Sequence, residues 1–314
     1  MNTRTAVLVP KWPIGSATLA GYVAIYAALL WAMWRTTGYE ISEPLLVLGL
    51  LGIGFSAASW LLTVRAAPLP NDVRNPASEV VAVAVLLAFE VAFITWGLGY
   101  LHRLFPSDPS AGIVILIAKI LAFVAVPVVV MHLQFGYGLR DLVPISMPLR
   151  HWPALVGMSV LLLAFQVVLG SGLRELLKAH LSSGTLLLGL PVTFVWLALE
   201  AGVVEELFFR VLLQTRLSAV LKSELSAIVV TSLLFGLAHA PGIYLRTGMT
   251  NEGLQNPSLL MAVGYSIVIV SVAGFFLGVL WARTRNFLLV VTVHAMGDLL
   301  PNLLPTMRSL RLIH

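Results

Sequence analysis

Six ionisable residues stand where ionisable residues are expensive. Glu205, Glu206 and Arg210 lie within the apolar stretch from Leu186 to Leu217, His239 closes a second such stretch, and His294 and Asp298 lie in a third. At membrane depth a charged side chain costs several kcal/mol unless it faces a protein interior or a wet cavity, so such a set is by default a hypothesis about function. Glu206 and Arg210 are four residues apart, which puts them on one helix face, and the guanidinium offers the carboxylate a planar fork. That pair neutralises itself. Glu205 lies about 100° around the same helix and is left without a local partner, a placement suited to general-base duty. Phe235 precedes His239 by four residues, so its ring can wall the imidazole, and His294 and Asp298 repeat the four-residue spacing.

Taken singly, each feature also has a plain structural reading: a buried charge network, an interfacial histidine, an internal hydrogen-bonded pair. Together, three helices each present ionisable groups on one face, and convergence on one cavity is the simpler account. Three chemistries fit such a cavity. A zinc ion could be held by Glu205, His239 and His294, although the local signature His-Glu-x-x-His is missing. An ion-coupled transporter could use Glu205 together with Glu90 and Lys119, although no inverted repeat is visible. In water-based hydrolysis Glu205 would activate a water, with the imidazoles positioning it and stabilising the oxyanion.

The elements that must position these residues are membrane helices. Of 314 residues, 59% are hydrophobic and 11% charged, against roughly 25% charged in an average soluble domain. The expected fold is an all-α polytopic membrane helical bundle of eight or nine transmembrane helices, with spans near 14–34, 44–64, 78–101, 112–133, 152–172, 186–211, 224–240, 258–282 and 286–304. The seventh is short, and Pro301 and Pro305 interrupt the ninth beyond Leu300, so eight crossings with a re-entrant segment are an alternative.

With nine crossings the N-terminal side carries ten Lys and Arg, Arg4 and Lys11 among them, against seven on the other side, Arg246 among those. That bias places the N-terminus in the cytoplasm, and the first span reads as a retained helix rather than a cleaved signal. The charge of +5 is spread along short connections, which gives no indication of a nucleic-acid partner. With no cysteine, disulfides and thiolate chemistry are excluded.

No connection is long enough to build a soluble domain, so the chain divides by charge pattern into an accessory half, 1–150, and a catalytic core, 151–314. Within the accessory half Glu90 and Lys119 lie at similar depth in adjacent spans, and an ion pair between them is expected. Gly274 and Gly278 form a GxxxG, which lets helices approach closely.

The ordered motifs resemble those of the CPBP family of intramembrane proteases, which includes CAAX-processing endopeptidases and bacteriocin-processing and immunity proteins. Its Glu-Glu-x-x-x-Arg is met by Glu205, Glu206 and Arg210, its Phe-x-x-x-His by Phe235 and His239, and its His-x-x-x-Asn by His294 with Asp298 in place of Asn. The approach to the last motif, Phe275 to Asp298 with Gly278, Arg283, Thr284 and Asn286, is also similar, and the resemblance covers roughly residues 185–305.

It implies a glutamate-dependent endopeptidase without a catalytic metal or other cofactor, in a bacterial cytoplasmic membrane. Its partners would be the lipid bilayer and a membrane-embedded or lipid-anchored peptide or protein substrate. Glu205 and His239 would activate the water, Glu206 and Arg210 would organise the site, and His294 with residue 298 would form the oxyanion hole. An ionised Asp only accepts hydrogen bonds and would repel an oxyanion. Asp298 is therefore protonated, or holds His294 as a charged donor, or marks an altered site; the spacing favours the second. A non-proteolytic immunity or scaffold protein of the same fold, with a purely structural charged site, is the alternative.

Overall fold

The computed structural model describes residues 12–105, 111–245 and 253–313; Arg4, Lys11 and Arg246 of the charge count lie outside them. Among the described residues nine helices are long and apolar enough to cross a membrane: Ile14–Thr37, Ser42–Leu62, Pro76–Leu101, Gly112–Phe135, Leu149–Leu169, Ser183–Leu221, Glu224–Leu245, Leu259–Thr284 and Phe287–Ser309. They are spans one to nine. No β-strand occurs among the described residues, and the chain is an all-α polytopic helical bundle.

The packing has a centre and a surround. In their most apolar windows 67% of span eight and 56% of span nine are buried inside the protein, against 17% of each of spans one to three. The outer helices leave large apolar side chains such as Trp31, Ile53, Val81 and Leu133 exposed, as faces turned toward a bilayer do. At the centre, span eight packs on span seven through its two glycines. A Cβ on Gly274 would come within 3.0 Å of Ser232 Cα, and one on Gly278 within 3.1 Å of Ile228 Cγ2.

Contacts between span ends decide the crossing count. Arg283 Nη2 at the end of span eight donates to Thr63 O beyond the end of span two (3.2 Å), and Leu69 N donates to Thr284 O (2.9 Å). Asn286, which caps span nine by accepting from Leu289 N, also meets His151 Nδ1 at the start of span five (2.8 Å). Arg285 pairs with Glu224 at the start of span seven. In a nine-crossing chain all these ends share one face, whereas with a seventh span that did not cross, some would lie on opposite sides of the layer.

Three boundaries differ from the expectation. Span six has 39 residues rather than ending at 211, about 58 Å of helix against a ~30 Å hydrocarbon layer, so it tilts or projects. Arg216, counted as a connection residue, is consequently inside that helix and wholly buried, its Nε 3.0 Å from Glu79 Oε2 at the start of span three. Glu79 also accepts from the backbone N–H groups of Arg74 and Asn75 and from the Tyr137 hydroxyl, so every lone pair of a costly buried carboxylate finds a donor. Burial pushes the Tyr137 phenol above its ordinary pKa, which keeps it a donor.

Span seven is not short: it runs 22 residues through Pro241, and His239 lies inside it rather than at its end. Span nine continues through Pro301 and Pro305 to Ser309. A proline breaks a membrane helix only if the freed backbone groups go unsatisfied. Here Gln166 of span five donates to Met296 O (2.7 Å) and accepts from Leu300 N (2.9 Å), two groups that would pair with each other in an uninterrupted helix. Asn302 Nδ2 donates to Asp298 O (2.9 Å). The loosened turn therefore surrounds Asp298.

Gly236 offers a direct test of this packing. A Cβ there would stand 2.3 Å from Ser266 O and 2.7 Å from Ser271 Cβ, both on the chain of span eight. Gly236→Ala is expected to destabilise the protein by about 1–3 kcal/mol through overpacking, read as a lowered midpoint in detergent unfolding.

Candidate active site

Span six carries Glu205 and Glu206 on a single α-helical turn, Val204–Glu206, between two wider π-helical segments, Ala198–Val203 and Leu207–Gln214. Turns of this kind cluster at functional sites because they re-aim side chains that a regular helix would carry elsewhere. Glu206 and Arg210 form the expected pair, Nε to Oε2 at 3.0 Å with both side chains wholly buried. The approach is an ion pair rather than an aligned hydrogen bond, since none of the three guanidinium nitrogens has a hydrogen-bond partner. The Arg210 guanidinium instead lies 5.0 Å from the centroid of the Phe235 ring, on whose π face a desolvated cation is stabilised.

Glu206 Oε1 reaches across to span nine, where His294 Nδ1 donates to it at 2.8 Å. His294 Nε2 faces Asp298 Oδ2 at 3.3 Å, as the four-residue spacing led one to expect, and Glu205 Oε2 at 3.8 Å. Glu205 Oε1 is also 3.8 Å from His239 Nε2. One carboxylate thus stands between imidazoles from two other helices. His239 Nδ1 lies 2.8 Å from the Phe235 carbonyl, and a carbonyl can only accept, so Nδ1 carries the hydrogen. In the neutral ring Nε2 is then a free acceptor turned to Glu205. Phe235 touches both rings, with centroids 4.9 Å from His239 and 6.4 Å from His294.

The structure brings all six sequence-predicted residues together. Glu205, His239 and His294 are the trio a zinc ion would need, yet among the described residues no group of three or more His, Asp or Glu side chains is arranged to hold a metal ion.

A cavity of about 400 Å³ lies against Glu205 and His239, and its other walls include Glu90 and Phe123 from spans three and four. Here one expectation fails. Lys119 does not pair with Glu90; its Nζ meets Glu200 Oε1 of span six at 2.8 Å, while Glu90 Oε1 is buried with no hydrogen-bond partner. Matching depths along two helices leaves their rotation undecided, and Lys119 faces span six. Glu200 was missed, although the same signal that marked Glu90, a carboxylate inside an apolar span, applied to it.

Residues 187–300 match the Rce1-like family, described as type II CAAX prenyl endopeptidase Rce1-like. That stretch is rather more than a third of the chain and contains all six site residues, so the CPBP resemblance holds where the ionisable groups converge. No curated protein and no solved structure matches. The Rce1-like segment, with nine apolar helices, points to intramembrane endopeptidase activity in a multi-pass membrane protein.

The Glu206–Arg210 pair can be tested by charge. Arg210→Met strands a buried carboxylate and is expected to cost about 3–5 kcal/mol. Adding Glu206→Gln removes the charge while its amide oxygen still accepts from His294, so part of that loss should return. Unfolding curves in which the second substitution recovers nothing would show that Arg210 acts through packing alone.

Proposed function

We propose that the protein is a glutamate-type intramembrane endopeptidase that hydrolyses a peptide bond in a hydrophobic, membrane-anchored substrate. The observation that carries this reading is the Glu205 carboxylate, 3.8 Å from His239 Nε2 and 3.8 Å from His294 Nε2, at the wall of a cavity of peptide-binding size. The 3.8 Å gap between two acceptors, Glu205 Oε1 and His239 Nε2, is too long for a direct bond and suits a water donating to both. The water oxygen attacks the scissile carbonyl as one proton passes to Glu205. The same proton then goes to the departing amine as the C–N bond breaks.

His294 supplies the oxyanion's donor. With carboxylates facing both ring nitrogens it serves as a doubly protonated imidazolium: Nδ1–H stays on Glu206, while Nε2–H, 3.3 Å from Asp298, is shared with the oxyanion as it forms. Glu206 and Arg210 orient the ring from behind, as positioning residues. No step requires a metal ion or other cofactor. The family description supports a prenylated CAAX peptide as the first substrate to try.

Purified protein in detergent is expected to cleave an S-farnesylated CAAX peptide, and Glu205→Gln to lower kcat by about 100-fold or more with the fold intact. Chelator should leave the rate unchanged. Failure of the parent to cut, or inhibition by chelator reversed by zinc, would overturn the mechanism. Asp298→Asn keeps a side-chain oxygen near His294 and gains a donor toward the oxyanion, so activity within about tenfold of the parent is expected; complete loss would show that Asp298 does more than hold the imidazolium.

A further inference from the structure

The first half of the chain contributes one group to the cavity that the hydrolytic steps do not use. Glu90, on span three, is 3% exposed, and its Oε1 is buried without a hydrogen-bond partner. The cavity's lysine does not answer it, because Lys119 is committed to Glu200. Nor does the wall, where its neighbours include Leu87, Ile94 and Phe123. A carboxyl group kept unsatisfied in an apolar wall is destabilising, and such groups persist at sites where a ligand completes them.

We propose that Glu90 is a substrate-binding residue, accepting a hydrogen bond from an N–H group of a peptide seated in the cavity. The chemistry follows from the lining. Glu90 and Glu205 both present carboxyl oxygens able to accept, and the one lysine among the lining residues is already paired, so the cavity suits a ligand that brings donors. A peptide brings backbone N–H groups wherever it lies. Glu90 thereby gives span three, outside the Rce1-like segment, a part in selecting what enters the site. This assignment rests on the endopeptidase reading for the identity of the ligand as a peptide, but its test does not depend on cleavage.

The test is equilibrium binding of two fluorescent S-farnesylated peptides to the detergent-solubilised Glu205→Gln protein, one peptide with only apolar residues after the cysteine and one with a lysine there. Adding Glu90→Leu is expected to raise Kd by about tenfold or more, and adding Glu90→Gln, whose amide oxygen still accepts, by less. A loss seen with both peptides assigns the N–H to the backbone; a loss confined to the lysine peptide assigns it to the side chain. Glu90→Leu should at the same time raise the melting temperature, because it removes an unsatisfied carboxyl from an apolar wall. An unchanged Kd overturns the proposal, as does a melting temperature that falls along with affinity, the mark of a structural role. If the parent binds the peptides without cutting them, the endopeptidase reading fails while Glu90 is still decided by Kd. If neither peptide binds the Glu205→Gln protein, the Glu90 assignment fails as well.

Discussion

The Glu206 carboxylate is bound in two directions at once, Oε2 to Arg210 on its own helix and Oε1 to His294 on span nine. A wholly buried carboxylate is stable only while its charge and lone pairs are met, and losing either partner leaves a penalty of several kcal/mol. The interaction therefore fixes the rotation of span six against span nine. Much of the rest follows from that constraint. Glu205, next on the same turn, is carried about 100° around the helix and to the cavity, and Phe235 lies against Arg210 and the two imidazoles. Spans eight and nine, the most deeply buried helices, pack apolar side chains behind this arrangement.

Helix positions were legible in the sequence because the cost of exposing backbone groups to lipid leaves little choice: apolar length implies a span, and nine such lengths gave nine helices among the described residues. The six site residues were legible for the same reason, since ionisable groups in apolar stretches have to be justified. What the sequence hid were departures from regular geometry. Nothing in Ala198–Gln214 announces π-helical turns, and yet those turns bracket the glutamates. Pro301 read as an interruption, because the groups that satisfy the loosened turn belong to Gln166, 130 residues from its partner Met296.

Partner choice between helices was equally hidden. Glu90 and Lys119 match in depth, but a helix offers its residues around a full circle, and only packing decides which neighbour each one meets. Lys119 faces Glu200 and Glu90 faces the cavity. For Glu79 and Arg216 the obstacle was separation: 137 residues lie between two side chains now 3.0 Å apart. This pair, with Tyr137, binds the start of span three to the end of span six. The same two helices meet again at the cavity, so span three is held in register with span six at one end and contributes a wall to the site further along.

Asp298 stands where the CPBP motif has Asn, and in the proposed mechanism charge balance makes the difference tolerable. With Asn at 298, Glu206 and Arg210 cancel and His294 can stay neutral. With Asp, a second carboxylate stands beside the ring, 3.3 Å from Nε2, and an uncompensated negative charge there would oppose an oxyanion. The proposed mechanism compensates it with a proton on His294. Arg210 and the imidazolium then balance Glu206 and Asp298, and Glu205 remains the one carboxylate of the cluster without a fixed counter-charge. A charged donor also binds a developing oxyanion more strongly than a neutral one. In that reading the aspartate exchanges the amide's hydrogen bond for a full charge on the neighbouring histidine, which it meets at 3.3 Å from within the loosened turn around residues 296–302.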